Sequence, residues 1–353
     1  MLQARQLGKE LYVGVHSDAD ILHNKGPVVM RLDERLTAVN ACKWLTEAVP
    51  GAPYVTDPSF MAKYGCKYVV HGDDITTDAN GEDCYKGVKE KGMFVVVKRT
   101  PNILTTDLVG RMLLMSKTHH FAPISDPKLV FSHPLFAEEG AVERFHNYAS
   151  DSTGRHAGSG VYVDCGGEDP LVTIVEPSKD NKTKFEGPIV YVDGGFDLFH
   201  PGHIEALRLV RENAAKTGAA VFVGLHDDKV VNKQKGLNYP IMSLFERALC
   251  VLQCRYVDAL VIGAPYTPTA RFLNKLPGQV TQVYHGSNEV AAGVYDEVAP
   301  LFTQLPEHKY TDINTEVIVA RVLSNKKAYE ERQARKGWKA AVERELEAEE
   351  KQK

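Results

Sequence analysis

The chain repeats itself at long range. Val13-Gly14-Val15-His16-Ser17-Asp18 returns as Val223-Gly224-Leu225-His226-Asp227-Asp228, an offset of 210 residues. Lys25-Gly26 returns at Lys235-Gly236, Glu34-Arg35 at Glu246-Arg247, Gly51-Ala52-Pro53-Tyr54 at Gly263-Ala264-Pro265-Tyr266, and His71-Gly72 at His285-Gly286, while the offset drifts to 214. Five matches in one order are not coincidence, and small drifts place insertions in loops. A period this long is a domain duplication, and 353 residues hold two domains and a connection. The expected layout is a first copy over 1–119, a linker over 120–187, a second copy over 188–325 and a charged helical tail over 326–353. In the second copy strands are expected near 189–193, 220–225, 257–262 and 280–285, with helices beginning near 202, 243 and 268. Such alternation predicts an α/β fold with a parallel, doubly wound sheet whose ligands sit beyond the carboxyl ends of the strands.

One segment carries chemistry. The apolar run Ile189 to Val192 leads into Asp193-Gly194-Gly195, and then His200-Pro201-Gly202-His203 opens a stretch with Ile204, Leu207 and Val210 at helical spacing. Glycines permit close backbone approach, and Pro201 suits a first helical turn. The unpaired amides and the dipole at a helix start favour an anion, to which two imidazoles add donors. An isolated H-x-G-H is as readily a pair of structural histidines; the strand, glycines and helix around it favour a nucleotide phosphate site. Arg211, eight residues after His203, has the length to reach those phosphates or to sit solvated on its helix. Aligned through Val13 and Val223, Met1 matches Arg211, so the first copy has no H-x-G-H. A sheet without an inner strand leaves backbone groups unpaired, which makes Met1 an internal methionine of a longer parent or the start of a shortened variant; the alternative is a degenerate domain that tolerates the loss.

These motifs resemble the HxGH cytidylyltransferase family in its tandem-domain form. Gly224 to Asp228, Asn238-Tyr239-Pro240-Ile241-Met242, Cys254-Arg255-Tyr256-Val257-Asp258, Gly263 to Tyr266 and His285-Gly286-Ser287-Asn288 stand in that family's order. The resemblance implies two tandem Rossmann-like nucleotidyltransferase domains, the first incomplete, and transfer of a cytidylyl group from CTP, accompanied by Mg²⁺, with no protein metal ligand. Choline-phosphate members have one catalytic domain followed by a lipid-binding helix, so the duplication implies phosphoethanolamine as acceptor. The alternatives are the choline compound or a non-catalytic nucleotide-binding fragment. By the same transfer His200, His203 and Arg211 are the catalytic candidates. Gly195, Phe196, Asn232, Arg247, His285, Gly286, Ser287, Asn288, Lys309, Thr311 and Thr315 are the CTP-binding ones. Their first-copy equivalents are Arg5, Arg35, His71, Gly72, Arg99, Thr100, Thr105 and Thr106. Lys233 and Lys235 stand in a loop where they either cover the triphosphate or remain solvated. Two departures stand out in the terminal motif: Lys309 replaces an arginine and loses its fork, and Glu316 puts a negative group where a threonine is expected.

Composition narrows the class. With 43% hydrophobic and 25% charged residues, each half has material for an ordinary core. A formal net charge of −4 without a basic stripe argues against nucleic acid. The six cysteines form no CxxC pair, and Cys250 and Cys254 read as one apolar helix face before a metal or disulfide site, which suits a reducing compartment. No apolar run approaches the ~18 residues of a transmembrane helix, and no signal sequence stands at the N-terminus. A soluble, cytoplasmic protein is expected, with a homodimer as its open assembly state and the tail as a solvated helix or a partner-binding one.

Overall fold

The computed structural model describes residues 1–74, 76–98, 105–325 and 327–328. The second copy is built on a seven-stranded sheet. Its strands are β5 (Gly160–Val163), β6 (Val172–Val175), β7 (Pro188–Gly194), β8 (Ala220–Leu225), β9 (Ala259–Ile262), β10 (Gln279–His285) and β11 (Phe302–Gln304), in the order β11-β10-β7-β8-β9-β5-β6. All neighbours are parallel except β5 and β6. β7 shows why the sheet forms: Val190 and Val192 pack into one buried cluster with Ile204, Leu207, Val210 and Leu260, while Ile189 and Tyr191 enter the opposite one with Phe222, Val261 and Val283. Both faces are covered, as the continuous apolar runs of a parallel sheet require.

β5 and β6 come from the segment expected to be a linker. Val161 and Val163 are fully buried, and β5 joins the sheet by pairing Gly160 with Ala259 and Val163 with Ile262. Residues 120–187 therefore connect the copies and also extend the second sheet, with Phe136 and Phe145 adding to its core.

The first copy repeats four of these strands. β1 (Tyr12–Val15) pairs β2 (Glu47–Pro50) and β3 (Val69–Gly72) pairs β4 (Phe94–Val97), both parallel. The registers coincide across the duplication. Tyr12 faces Glu47 where Phe222 faces Ala259, and Val69 faces Phe94 where Val283 faces Phe302. In the second copy β7 lies between β10 and β8; among the described residues nothing occupies that place between β3 and β1, so the first copy's strands form two separate pairs. Their apolar side chains are correspondingly less covered, Val96 being 56% exposed.

The copies meet around a pseudo-twofold axis near Cys42 and Cys254, which face one another in an isolated antiparallel bridge. Arg255 donates to the carbonyls of Cys42 and Leu45, Lys43 N–H donates to the carbonyl of Gln253, and the helix Leu32–Asn40 packs against the helix Pro201–Thr217. The tail 326–353 lies outside the described residues apart from 327–328. Among the described residues no helix is long and apolar enough to cross a membrane.

Candidate active site

At the carboxyl ends of β7 and β10 the second copy holds a cavity of about 310 Å³. Two helix starts face it: His200 caps the helix Pro201–Thr217, with Pro201 at its first position, and Asn314 caps the helix Thr315–Ser324 through its side chain. Their open amide ends favour a bound anion. Between β7 and the first helix the chain turns through left-handed backbone at Phe196, Leu198 and Phe199, with φ of 47°, 55° and 22°. Strain at three non-glycine residues within four positions is held by surrounding contacts. Asp197 supplies them, its carboxylate accepting from the amides of Ile241 and Met242 at 2.8 and 2.9 Å.

His200 and His203 lie side by side in the cavity wall, their rings stacked with centroids 3.7 Å apart. Gly202 between them has no room for a side chain, since a Cβ there would stand 2.7 Å from the Ile313 carbonyl oxygen and 3.0 Å from the His200 ring. Burial lowers the His200 pKa to about 3, the nearby Lys235 adding to the effect, and burial drives His203 well below its ordinary value. Both imidazoles are therefore neutral near pH 7, and each has a buried Nδ1 without a protein partner.

Phe196, Gly195, His285, Gly286, Ser287, Asn288, Thr311 and Thr315 also line the cavity. The Thr315 hydroxyl donates to the Asp197 carbonyl at 3.1 Å, and Thr311 Oγ1 accepts from the His308 amide at 2.8 Å. Gln304 holds the carbonyl of Asn288 at 2.8 Å, which steadies the loop after β10.

Four sequence candidates lie elsewhere. Arg211 turns away from the cavity, its guanidinium bonded to the Tyr256 carbonyl and paired with Asp258 at 2.9 Å, so in this structure it ties its helix to the loop before β9. Arg247 is fully buried, pairing with Asp228 at 2.7 Å and donating to the Gly195 carbonyl at 2.6 Å; it positions the glycine turn from behind. Asn232 lies inside the helix Asp228–Lys235, not in a loop; it donates to the carbonyls of Gly236, Leu237 and Tyr239, accepts from Lys117, and thereby holds the chain that follows its helix. Lys309 reaches across to Asp33 of the first copy at 3.3 Å.

The first copy retains part of this framework. Arg35 pairs with Asp18 at 2.5 Å and donates to the His16 carbonyl, as Arg247 does with Asp228 and Gly195. His71 and Gly72 end β3, with the His71 ring against Tyr85 as His285 is against Tyr295. Arg5 donates to the carbonyls of Ser152 and Lys9. Arg99 and Thr100 lie outside the described residues, and of Thr105 and Thr106 only the backbone is described, at the start of a helix.

The cavity also contains residues that the sequence motifs did not mark out as site candidates, together with Lys235, which they did. Asp193, at the end of β7, is 6% exposed; its Oδ1 accepts from the Tyr295 hydroxyl at 2.7 Å and its Oδ2 is buried without a partner. Burial raises its pKa to about 7. The Tyr191 hydroxyl lies beside it and leaves no space for a Cβ at Gly224. His226, Tyr266, Tyr295, Lys235 and His308 complete the wall. Asp193 stood in the motif itself, but only its burial marks it as more than the end of a strand.

Stacked neutral imidazoles at a helix start, a glycine turn at the end of a parallel strand and a second helix start opposite suit a nucleotide-phosphate class of site. The sequence matches the cytidylyltransferase-like family over residues 1–111 and 191–298, and the chain belongs to that family. It is 41% identical over 95% of its length to ethanolamine-phosphate cytidylyltransferase of Dictyostelium discoideum, spanning 88% of that protein, and 38% identical over 95% of its length to ethanolamine-phosphate cytidylyltransferase of Mus musculus, spanning 84%. Similarity to choline-phosphate cytidylyltransferase A of Rattus norvegicus, at 39% identity, extends over 32% of this chain.

Proposed function

We propose that this chain transfers the cytidylyl group of CTP to phosphoethanolamine, giving CDP-ethanolamine and pyrophosphate. A phosphate oxygen of the acceptor bonds to the α-phosphorus of CTP as the bond from that phosphorus to the bridging oxygen of the β-phosphate breaks. Charge gathers on oxygens, so the site must position groups and donate hydrogen bonds; no covalent nucleophile is required. His200 and His203 donate from neutral rings to the α-phosphate and leaving-group oxygens, and the starts of the two helices supply further amides and positive potential. Because their pKa values lie far below neutrality, the histidines act as hydrogen-bond donors and not as cationic acids.

The observation that carries the choice of acceptor is the buried Asp193 carboxylate in the cavity wall, whose Oδ2 has the Tyr191 hydroxyl beside it but no well-formed hydrogen bond. A primary ammonium carries N–H donors for that carboxylate, and a charge-assisted bond there is stronger than the contact the Tyr191 hydroxyl makes. A quaternary ammonium has no such donor. Tyr266 and Tyr295 line the same wall, where their aromatic faces attract either kind of ammonium and so do not bear on the choice. The full-length similarity to ethanolamine-phosphate enzymes supports the same acceptor.

Mg²⁺ enters with CTP as part of the substrate. Among the described residues no three histidine, cysteine, aspartate or glutamate side chains cluster as a metal cage, and both Asp197 oxygens already accept from amides. Phosphate oxygens and water suit this ion without a dedicated protein cage. The test is competition between phosphoethanolamine and phosphocholine in one reaction with CTP: CDP-ethanolamine should dominate, and preferential formation of CDP-choline would overturn the assignment.

A further inference from the structure

Lys235 is the one lysine or arginine among the described residues that lines the cavity. It stands at the end of the helix Asp228–Lys235, and its ammonium lies 5.7 Å from the centre of the Tyr239 ring. That ammonium is already engaged. Glu316, in the first turn of the helix Thr315–Ser324, holds it at 2.8 Å. Both partners keep contact with solvent, their side chains 36% and 49% exposed, so the pair can open when a stronger anion arrives. The arrangement is specific to this copy: the residue aligned with Glu316 in the first copy is Thr106.

A carboxylate in that place changes the electrostatics of the whole cavity. The two histidines are neutral, so the fixed full positive charge facing a triphosphate is that of Lys235, and Glu316 cancels it. We propose that Glu316 is an internal counterion that competes with the phosphates of the nucleotide for Lys235 and thereby sets how tightly this cavity holds CTP. The proposal rests on the nucleotide reading of the cavity given above. On binding, the phosphates displace the carboxylate from the ammonium, and the like charge left beside them opposes the polyphosphate. The penalty scales with ligand charge, so it is large for CTP and absent for cytidine.

The experiment is calorimetric titration of the full chain and its Glu316→Gln variant with CTP, inorganic tripolyphosphate and cytidine, repeated in a Lys235→Met background. Glutamine keeps the size and polarity of the side chain on a half-exposed helix turn, and Glu316→Thr provides a second variant that restores the residue of the first copy. Expected is a roughly tenfold fall in Kd for CTP and tripolyphosphate on removing the charge, shrinking as salt is raised, with cytidine unchanged. In the Lys235→Met background the gain from Glu316→Gln should largely vanish. A Kd for tripolyphosphate that stays within twofold of the parent, a gain that persists in full without Lys235, or no tripolyphosphate binding by any variant contradicts the proposal. Binding of tripolyphosphate that tightens as expected while neither CTP nor cytidine binds would sustain the role of Glu316 and sink the cytidylyl reading.

Discussion

Arg111 of the first copy grips Glu246 of the second through two hydrogen bonds, at 2.6 and 3.2 Å. The duplication repeats the arrangement in the opposite direction, Arg321 of the second copy holding Glu34 of the first at 2.7 and 3.0 Å. Glu246 also closes a capping box with Ser243 at the start of its own helix, and Glu34 accepts from the Arg31 amide at the start of its own, so each carboxylate fixes a helix end and a domain interface together. Glu246 precedes Arg247, which holds the Gly195 carbonyl of the glycine turn. The interface is thereby tied to the back of the candidate active site.

Cutting one of these crossed pairs should cost stability. Arg111→Met leaves the largely buried Glu246 carboxylate without its cation and should lower the unfolding free energy by about 3 kcal/mol, read from urea denaturation. Arg31→Met, whose side chain is 62% exposed, should cost far less. Equal effects of the two would contradict a stabilising role for the crossed pair.

The histidine pair predicts a pH dependence with a definite sign. His200 is held at a pKa of about 3, below the 6.5 of an unfolded histidine, so between these values the unfolded chain binds the proton more readily. Its contribution to stability is complete above pH 6.5 and is lost as the pH falls toward 3. Asp193 acts in the other direction. Its pKa is raised from 3.8 to about 7, so its contribution is complete below pH 3.8 and is lost as the pH rises through 7. Because the two oppose one another, the clean measurement is a difference: His200→Gln should gain on the parent chain in thermal denaturation as the pH drops from 7 to 4. A constant difference over that range would mean that His200 is not buried neutral.

Asp193 makes a second prediction, at the acceptor. Asp193→Asn removes the charge that would meet an ammonium and should lower kcat/KM for phosphoethanolamine by roughly 10- to 100-fold, with a much smaller change in the KM for CTP. Because the carboxyl is half-protonated near pH 7, phosphoethanolamine binding to the parent chain at pH 6.5 should release protons. Calorimetry in buffers of different ionisation enthalpy reads that release, and binding without it would contradict an ionised Asp193 in the complex.

Much of this site was legible in the sequence because its parts are local. His200, Gly202 and His203 sit within four consecutive residues, and the glycine turn and the loop 285–288 each follow an apolar strand that announces them. The duplication was readable for the same reason, and the matching registers show that it extends to strand pairing. What failed to show were commitments between distant residues. Arg211, Arg247 and Lys309 carry the right charge near the right motifs, but Asp258, Asp228 and Asp33 claim them, and no spacing rule reveals such partners. Asp193 was hidden differently: only β10 and Tyr295 beside it, some 100 residues on, make it a buried acid. β5 and β6 were obscured by length, since four-residue apolar runs among loops reveal little until β9 is seen to pair with them.

The most direct test of the account is the rate of pyrophosphate release from CTP and phosphoethanolamine by the full chain and by its His200→Ala and His203→Ala variants. Each alanine removes a donor that faces the transferred phosphorus, and each should lower kcat by roughly two to three orders of magnitude while the protein stays folded. Turnover within a few fold of the parent chain in both variants would contradict the claim that this cavity performs the transfer.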